Sequence, residues 1–339
     1  MEKRIEEILK RCSGVDVSGM SYEDWLEKRK SSIGGSDAGA IMGYVGEWGS
    51  SLTVFLQKKG YVESKGMSAA AKRGKILEPR IRQCLAEEHP EFTVEKLPYM
   101  LYHPEYPFMS ANLDGLLYTK TPVKIGDDEC IGLGGLEIKT TKSGYGYGED
   151  EIPDGHYSQV QHYMAVAGLQ WFVVAAYFVE NDEVEYYLIP RNDEFIAELI
   201  SKEKAFWENH ILTNEWPAAL GIDAEEDMVT GMFTGGDTIV FDDTEREFCR
   251  KYAEAHKKEK EAKDEKDRCS VEIKAAIVRK QSGGKEKKIS AMAGNYSVSW
   301  SRFERSDIDR DALKKAGLYD QFVKKSETGR LTVSEKKGA

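Results

Sequence analysis

Apolar residues in the first thirty positions recur at helical intervals. Ile5, Ile8 and Leu9 in "KRIEEILKRC" predict one short helix, and "YEDWLEKRK" predicts a second. "SLTVFLQKKG" reads as a helix stopped by Gly60. "MSAAAKRGKILEPRIRQCLAEEH" is a longer helical stretch, in which Gly74 and Pro79 predict a bend or a fresh start near Leu77. The period then changes. "EFTVEKLPYMLYHPEYPFMSANLDGLLY" alternates and turns like antiparallel strands. "DGLLYT" and "GGLEIKTT" are the next two strands, with "KTPVKIGDDECIGLGG" expected as a polar link between them. A helix is predicted from Asp154 to a stop at Gly168. "WFVVAAYFVENDEVEYYLIP" follows as a hairpin turning at Asn181–Asp182, its first arm apolar enough to be buried on both faces. "RNDEFIAELISKEKAFWENHI" is again an amphipathic helix. This order predicts an α/β fold of packed layers around a buried central strand.

After that the pattern fades. Residues 213–240 lose periodicity and gain Pro and Gly, which sets an expected division into a core over 1–215, a linker over 216–240 and an extension over 241–339. The extension begins with a Lys/Glu-rich helix from 242 to about 280, carrying Phe248, Tyr252, Val271, Ile273 and Ile277 at helical spacing. Such a helix reads first as a solvated charged surface, with nucleic-acid contact as the alternative. A strand, a short helix and a strand-like tail complete it.

Composition removes several classes. The chain has 339 residues, of which 40% are hydrophobic, enough to form a core. The charged start "MEKRIEEILK" is unlike a secretion signal, and no apolar run approaches the roughly 18 residues that span a bilayer, so a cytoplasmic protein without membrane contact is expected. Cys12, Cys84, Cys130, Cys249 and Cys269 form no CxxC pair, which leaves zinc ribbons and iron–sulfur centres without support. The net charge of −11 argues against coating nucleic acid by bulk positive charge, though not against handling it locally.

Two stretches carry chemistry. In "GGLEIKTT", Glu137 and Lys139 share one face of a strand while Leu136 and Ile138 pack behind it. Alone, that pair also fits an ordinary cross-strand ion pair. Asp114 in "SANLDGLL" begins the upstream strand, and pairing of 114–119 with 135–141 would set it opposite Glu137. Two carboxylates so placed repel unless a cation joins them, and oxygen ligands suit Mg²⁺ or Mn²⁺. Glu78 in "GKILEPRI" offers a third carboxylate, and Gln159 and Tyr163 share a helix face four residues apart. The other stretch is "SSIGGSDAGAIMG". Its glycine pair followed by Ser36 and Asp37 makes a helix N-terminus with outward amides, an anion-binding corner within reach of Arg29. Ser36 also fits a plain N-cap.

Asp…Glu-x-Lys, preceded by a helical Glu and followed by Gln-x-x-x-Tyr, resembles the order of parts in the PD-(D/E)xK nuclease superfamily. More closely, "IGGSDAGAIMG", "RGKILEPRI", "MSANLDGLL", "LEIKTT" and "HYSQVQHYMAVAG", in that order, resemble the lambda-type exonuclease group, the YqaJ-like viral recombinases. The late "VSW", "DIDRDAL" and Arg330 also look like the end of many members. The resemblance implies a restriction-endonuclease-like core, a central mixed sheet flanked by helices, with a helical C-terminal extension. It implies that Glu78, Asp114, Glu137 and the Ile138 carbonyl hold one or two Mg²⁺ or Mn²⁺ ions. Lys139 would then position the attacking water and balance charge, Gln159 would orient Lys139 or the nucleophile with Tyr163 supporting it or touching the backbone, and Gln161 is the rival for that role. Arg29 and Ser36 would hold the 5′-phosphate of the digested strand. The implied activity is 5′-to-3′ digestion of double-stranded DNA to mononucleotides, leaving 3′ single strands in phage or prophage recombination. A homotrimer and a single-strand annealing partner are implied as well.

Two rivals stay open at this stage: another nuclease on the same scaffold, an endonuclease or Cas4-like enzyme, and a catalytically silent DNA-end-binding module. Leu113 stands where the family usually has Pro. The loop "KSGYGYGED" fits no family pattern; its Tyr145 and Tyr147 could stack on a base, or the loop is simply a surface loop.

Overall fold

A computed structural model gives the fold; it describes residues 2–44, 49–62, 68–142, 144, 146–148, 151–236, 238–281, 283, 287–324 and 331–333. Tyr145 and Arg330 lie outside the described residues. Two compact units divide at Phe233–Thr234.

The first unit opens with α1 (Glu2–Arg11), β1 (Ser13–Asp16) and α2 (Tyr22–Lys30). Ser21 caps α2 by accepting the Asp24 amide. A two-residue strand, β2 (Ile33–Gly34), leads into α3 (Gly35–Met42) and then α4 (Ser51–Lys58). Helix α5 runs unbroken from Ala69 to Glu88 and is capped by Ser68, so the helix does not restart near Leu77. Pro79 sits inside it. An interior proline costs about 3 kcal/mol, and burying two aliphatic side chains recovers about 2 kcal/mol each. Ile81 and Leu85, both buried against the sheet, supply that recovery.

Strands β3 (Thr93–Glu95), β4 (Tyr99–Tyr102), β5 (Met109–Ala111), β6 (Gly115–Ile125) and β7 (Asp128–Thr141) follow, then α6 (Asp154–Ala167), β8 (Trp171–Phe178), β9 (Glu183–Pro190) and α7 (Asp193–Phe206). The main sheet has five strands in the order β3-β6-β7-β8-β9. It is mixed: β6 pairs antiparallel with β7, and β7 parallel with β8 through the α6 crossover. A second sheet orders β1-β4-β5-β2. One face of the main sheet, with Leu117, Leu136, Val173 and Ala175, packs on α5. The other, with Phe172, Val174 and Ala176, packs on α6 and the elements around it. The unit is thus an α/β fold with a central mixed sheet flanked by helices.

The expected polar link between the Asp114 and Glu137 strands is instead the long arm of the β6–β7 hairpin, turning at Gly126 with φ +62°. Its glycines misled for a physical reason. A Cβ on Gly134 would lie 2.3 Å from the Trp171 ring, and one on Gly135 would lie 2.1 Å from the Phe172 ring. Glycine is there so that two β8 aromatics can lie across β7.

The expected linker over 216–240 also contains structure. Helix α8 (Asp223–Gly231) belongs to the first unit, and Met228 packs into the cluster around Leu52 and Phe55. Glu225 anchors it: one oxygen accepts from the Ser50 hydroxyl at 2.5 Å and the other from the Leu220 and Gly221 amides at 2.8 and 2.7 Å.

The second unit holds α9 (Asp243–Lys280), a β10 (Lys288–Ala293)–β11 (Tyr296–Ser301) hairpin, α10 (Arg310–Lys315) and α11 (Tyr319–Phe322). Residues 331–333, expected as part of a strand-like tail, form no strand. No helix among the described residues is long and apolar enough to cross a membrane.

Candidate active site

The alternation of β7 turns Leu136 toward α5 and Glu137 and Lys139 toward α6. There they meet Gln159 and Tyr163. Lys139 Nζ lies 2.8 Å from Glu137 Oε1 and donates to Gln159 Oε1 at 2.7 Å. Gln159 Nε2 donates to Glu137 Oε1 at 2.7 Å and to the Tyr163 hydroxyl at 3.0 Å. The Gln159 amide thus reads both members of the ion pair at once, which fixes its orientation. Gln161 points elsewhere: it donates to the Pro190 carbonyl and accepts from the Asn192 amide, so it ties α6 to the β9–α7 turn.

Asp114 stands just before β6, and its Oδ2 accepts the Ile138 amide at 2.8 Å. This locks the carboxylate to the strand that bears Glu137. Glu78, from α5, pairs with Arg82 one turn along, and Arg82 also donates to the Asp114 carbonyl at 2.8 Å. Burial first, then the charges of Glu137 and Glu78, push Asp114 well above the usual carboxylate range. Burial likewise raises Glu137, with Lys139 opposing it. Burial and the nearby Glu137 and Asp114 charges raise Tyr163 strongly, so its phenol stays protonated.

These carboxylates fit a divalent cation. Glu137 Oε2 is buried without a hydrogen-bond partner, and the negative charge gathered around Asp114 is what a hard cation relieves. Among the described residues no three His, Cys, Asp or Glu side chains are drawn into a ready-made cage. Glu78, now paired with Arg82, would be the third carboxylate to hold the ion.

The glycine corner abuts this site. Ser36 lies in the first turn of α3 and is not its cap; that place belongs to Gly34, whose amide donates to Asp37 Oδ2 at 2.8 Å. Arg29 Nη2 donates to the Ser36 hydroxyl, and its guanidinium stacks 4.8 Å over the Trp25 ring. Ser36 is exposed while its neighbours from Ser32 to Asp37 are buried. A Cβ at Gly35 would fall 2.5 Å from Tyr163 Cε1 and 2.9 Å from Gln159 Cγ. Glycine there lets the corner touch the Gln159–Tyr163 pair directly. Gly35→Ala is therefore expected to displace both side chains, costing about 1–3 kcal/mol in stability. The check is a thermal melt beside a DNA digestion, and a variant matching the parent in both would contradict this packing.

Residues 24–170 match the family model described as the YqaJ-like viral recombinase domain, a span that contains every one of these side chains. Over this segment the chain is similar to the YqaJ-like viral recombinase domain. "Uncharacterized protein YqaJ" of Bacillus subtilis (strain 168) is 28% identical over 330 residues, covering 94% of this chain and 96% of that protein. Among solved structures, the alkaline exonuclease LHK-Exo from Laribacter hongkongensis aligns with a TM-score of 0.43 at 21% identity, over 56% of this chain and 93% of its own. A phage-related exonuclease from Haemophilus somnus 129PT aligns with a TM-score of 0.38 at 11% identity, over 54% of this chain and 96% of its own.

Several residues of the matched segment were not marked by the sequence. Arg82 was within reach, since Glu78 and Arg82 are helical neighbours at i,i+4. Lys58, His156 and His162 gave no local signal, and Asp37 was legible only as part of the helix-start corner. Lys58 pairs with Asp37 at 2.5 Å, deep in the protein. His162 bridges Glu203 at 2.8 Å and the Ser110 carbonyl at 2.9 Å; burial opposes its charge, but those acceptors hold its pKa above the usual value. His156 meets the Tyr147 hydroxyl at 2.9 Å, and burial, aided by the Lys139 charge, pushes it down to about 3. Tyr147 packs edge-on against Phe178 and beside Tyr187, so it serves the core and is not a stacking surface for a base.

Proposed function

We propose that this protein is a divalent-metal-dependent exonuclease that digests double-stranded DNA from the 5′ end and releases 5′-mononucleotides. What supports the reading above all is the contact, through Gly35, of two half-sites: an acid–amine–amide cluster and an anion-binding corner. Glu78, Asp114, Glu137 and the Ile138 carbonyl would hold Mg²⁺ or Mn²⁺. Bound there, the ion supplies a Lewis acid for the scissile phosphate and for the attacking water.

The protein's own groups do the rest. Lys139 spends two N–H donors on Glu137 and Gln159, which leaves one for an oxygen of the substrate. Its charge balances the negative charge that grows on the phosphate in the transition state. Gln159 holds that ammonium in place, and the protonated Tyr163 phenol fixes Gln159 in turn. Arg29 and Ser36 receive the terminal 5′-phosphate, seating the strand so that the next phosphodiester meets the carboxylates. A single-strand annealing protein would take the 3′ strand left behind.

The deciding experiment compares linear duplexes with 5′-phosphoryl and 5′-hydroxyl ends, beside a closed relaxed circle, in Mg²⁺. Faster loss of phosphorylated ends, mononucleotide products and an intact circle are expected. Cutting of the circle would mean an endonuclease on this scaffold. No cutting of any substrate, in Mg²⁺ or Mn²⁺, would mean a DNA-end-binding protein.

A further inference from the structure

The anion corner contains an apparent contradiction. Asp37 is buried directly under it, with its carboxylate accepting the amide of Gly34, two residues from Ser36. An uncompensated negative charge there would repel the phosphate that Arg29 and Ser36 are placed to receive. Lys58, from the last turn of α4, resolves this. Its ammonium lies 2.5 Å from Asp37 Oδ2, with its side chain 6% exposed, and it also donates to the Arg29 carbonyl at 3.0 Å. One ammonium therefore cancels the carboxylate and grips the backbone of the arginine.

We infer that Lys58 is a positioning residue that sets preference for 5′-phosphoryl ends, by neutralising Asp37 beneath the corner and fixing Arg29 above it. This rests on the 5′-phosphate reading of Arg29 and Ser36. With Lys58 in place the corner keeps the full positive charge of Arg29. Without it, Asp37 offsets that charge from behind. Asp37 itself is retained because its reach back to Gly34 closes the first turn of α3 and so places Ser36.

The test is the ratio of digestion rates on 5′-phosphoryl and 5′-hydroxyl duplex ends, because a loss of folded protein cancels from the ratio. Lys58→Met should lower the ratio by roughly tenfold or more. Lys58→Arg should restore most of it. Since Lys58→Met leaves a buried charge unpaired and can impair folding, Asp37→Asn/Lys58→Met is measured beside it. With the repelling carboxylate gone, the double variant should recover a large part of the lost ratio. A Lys58→Met ratio equal to the parent's overturns the inference, as does a double variant no better than the single one. A parent that makes no distinction between the ends removes the 5′-phosphate reading, and the role of Lys58 with it. That outcome is read from the parent alone.

Discussion

Lys139→Ala is expected to reduce digestion of linear duplex DNA by roughly a thousandfold or more. The size follows from the position. The ammonium joins Glu137 to Gln159, and Gln159 joins both to Tyr163, so one truncation removes a charge and releases two side chains from their orientation. Stability should change far less, because the Lys139 stem is partly exposed and Leu136, behind it, is fully buried on the other face. Single-turnover digestion beside circular dichroism separates the two effects. A folded variant within tenfold of the parent would place the chemistry elsewhere.

Asp114→Asn should abolish activity and, in the metal-free protein, raise the melting temperature. Asp114 is held well above its ordinary pKa by burial and by the charges of Glu137 and Glu78, so its ionised form destabilises the native state at neutral pH. Asparagine removes that charge and can still accept the Ile138 amide. Mg²⁺ should stabilise the parent, by about 2.7 kcal/mol at a hundredfold excess over its dissociation constant, and should stabilise the variant much less. Thermal melts with and without Mg²⁺ measure this without any DNA. Equal Mg²⁺ stabilisation in the two proteins would put the ion away from Asp114.

The parts of the site that were legible in the sequence are those governed by local periodicity. Glu137 and Lys139 share a strand face two residues apart, and Gln159 and Tyr163 share a helix face four apart; the spacing alone pairs them. The pairing of the Asp114 and Glu137 strands also followed, since Gly115 is opposite Leu136. What stayed hidden depends on contacts between distant segments. Asp37 and Lys58 meet only because α3 and α4 pack together, and nothing local marks them as a pair. Gly134 and Gly135 suggested a loop because the aromatic rings that require them come from β8, nearly forty residues on. Helix α8 was missed because its docking depends on Glu225 finding Ser50 far up the chain. Pro79 suggested a break in a helix that tertiary burial keeps whole.

The parallel pairing of β7 with β8 bears on how the protein comes into being. Helix α6, which carries Gln159 and Tyr163, is itself the connection between those two strands. While the chain is being synthesised, Glu137 and Lys139 leave the ribosome well before the strand that will hold β7 in the sheet. Their helical partners can settle against them only once that strand has arrived. Part of the chain that carries the centre is thus made before the strand that pairs with β7 in parallel. The side chains proposed to carry the chemistry therefore come together as a complete set only after residues 171–178 have been made.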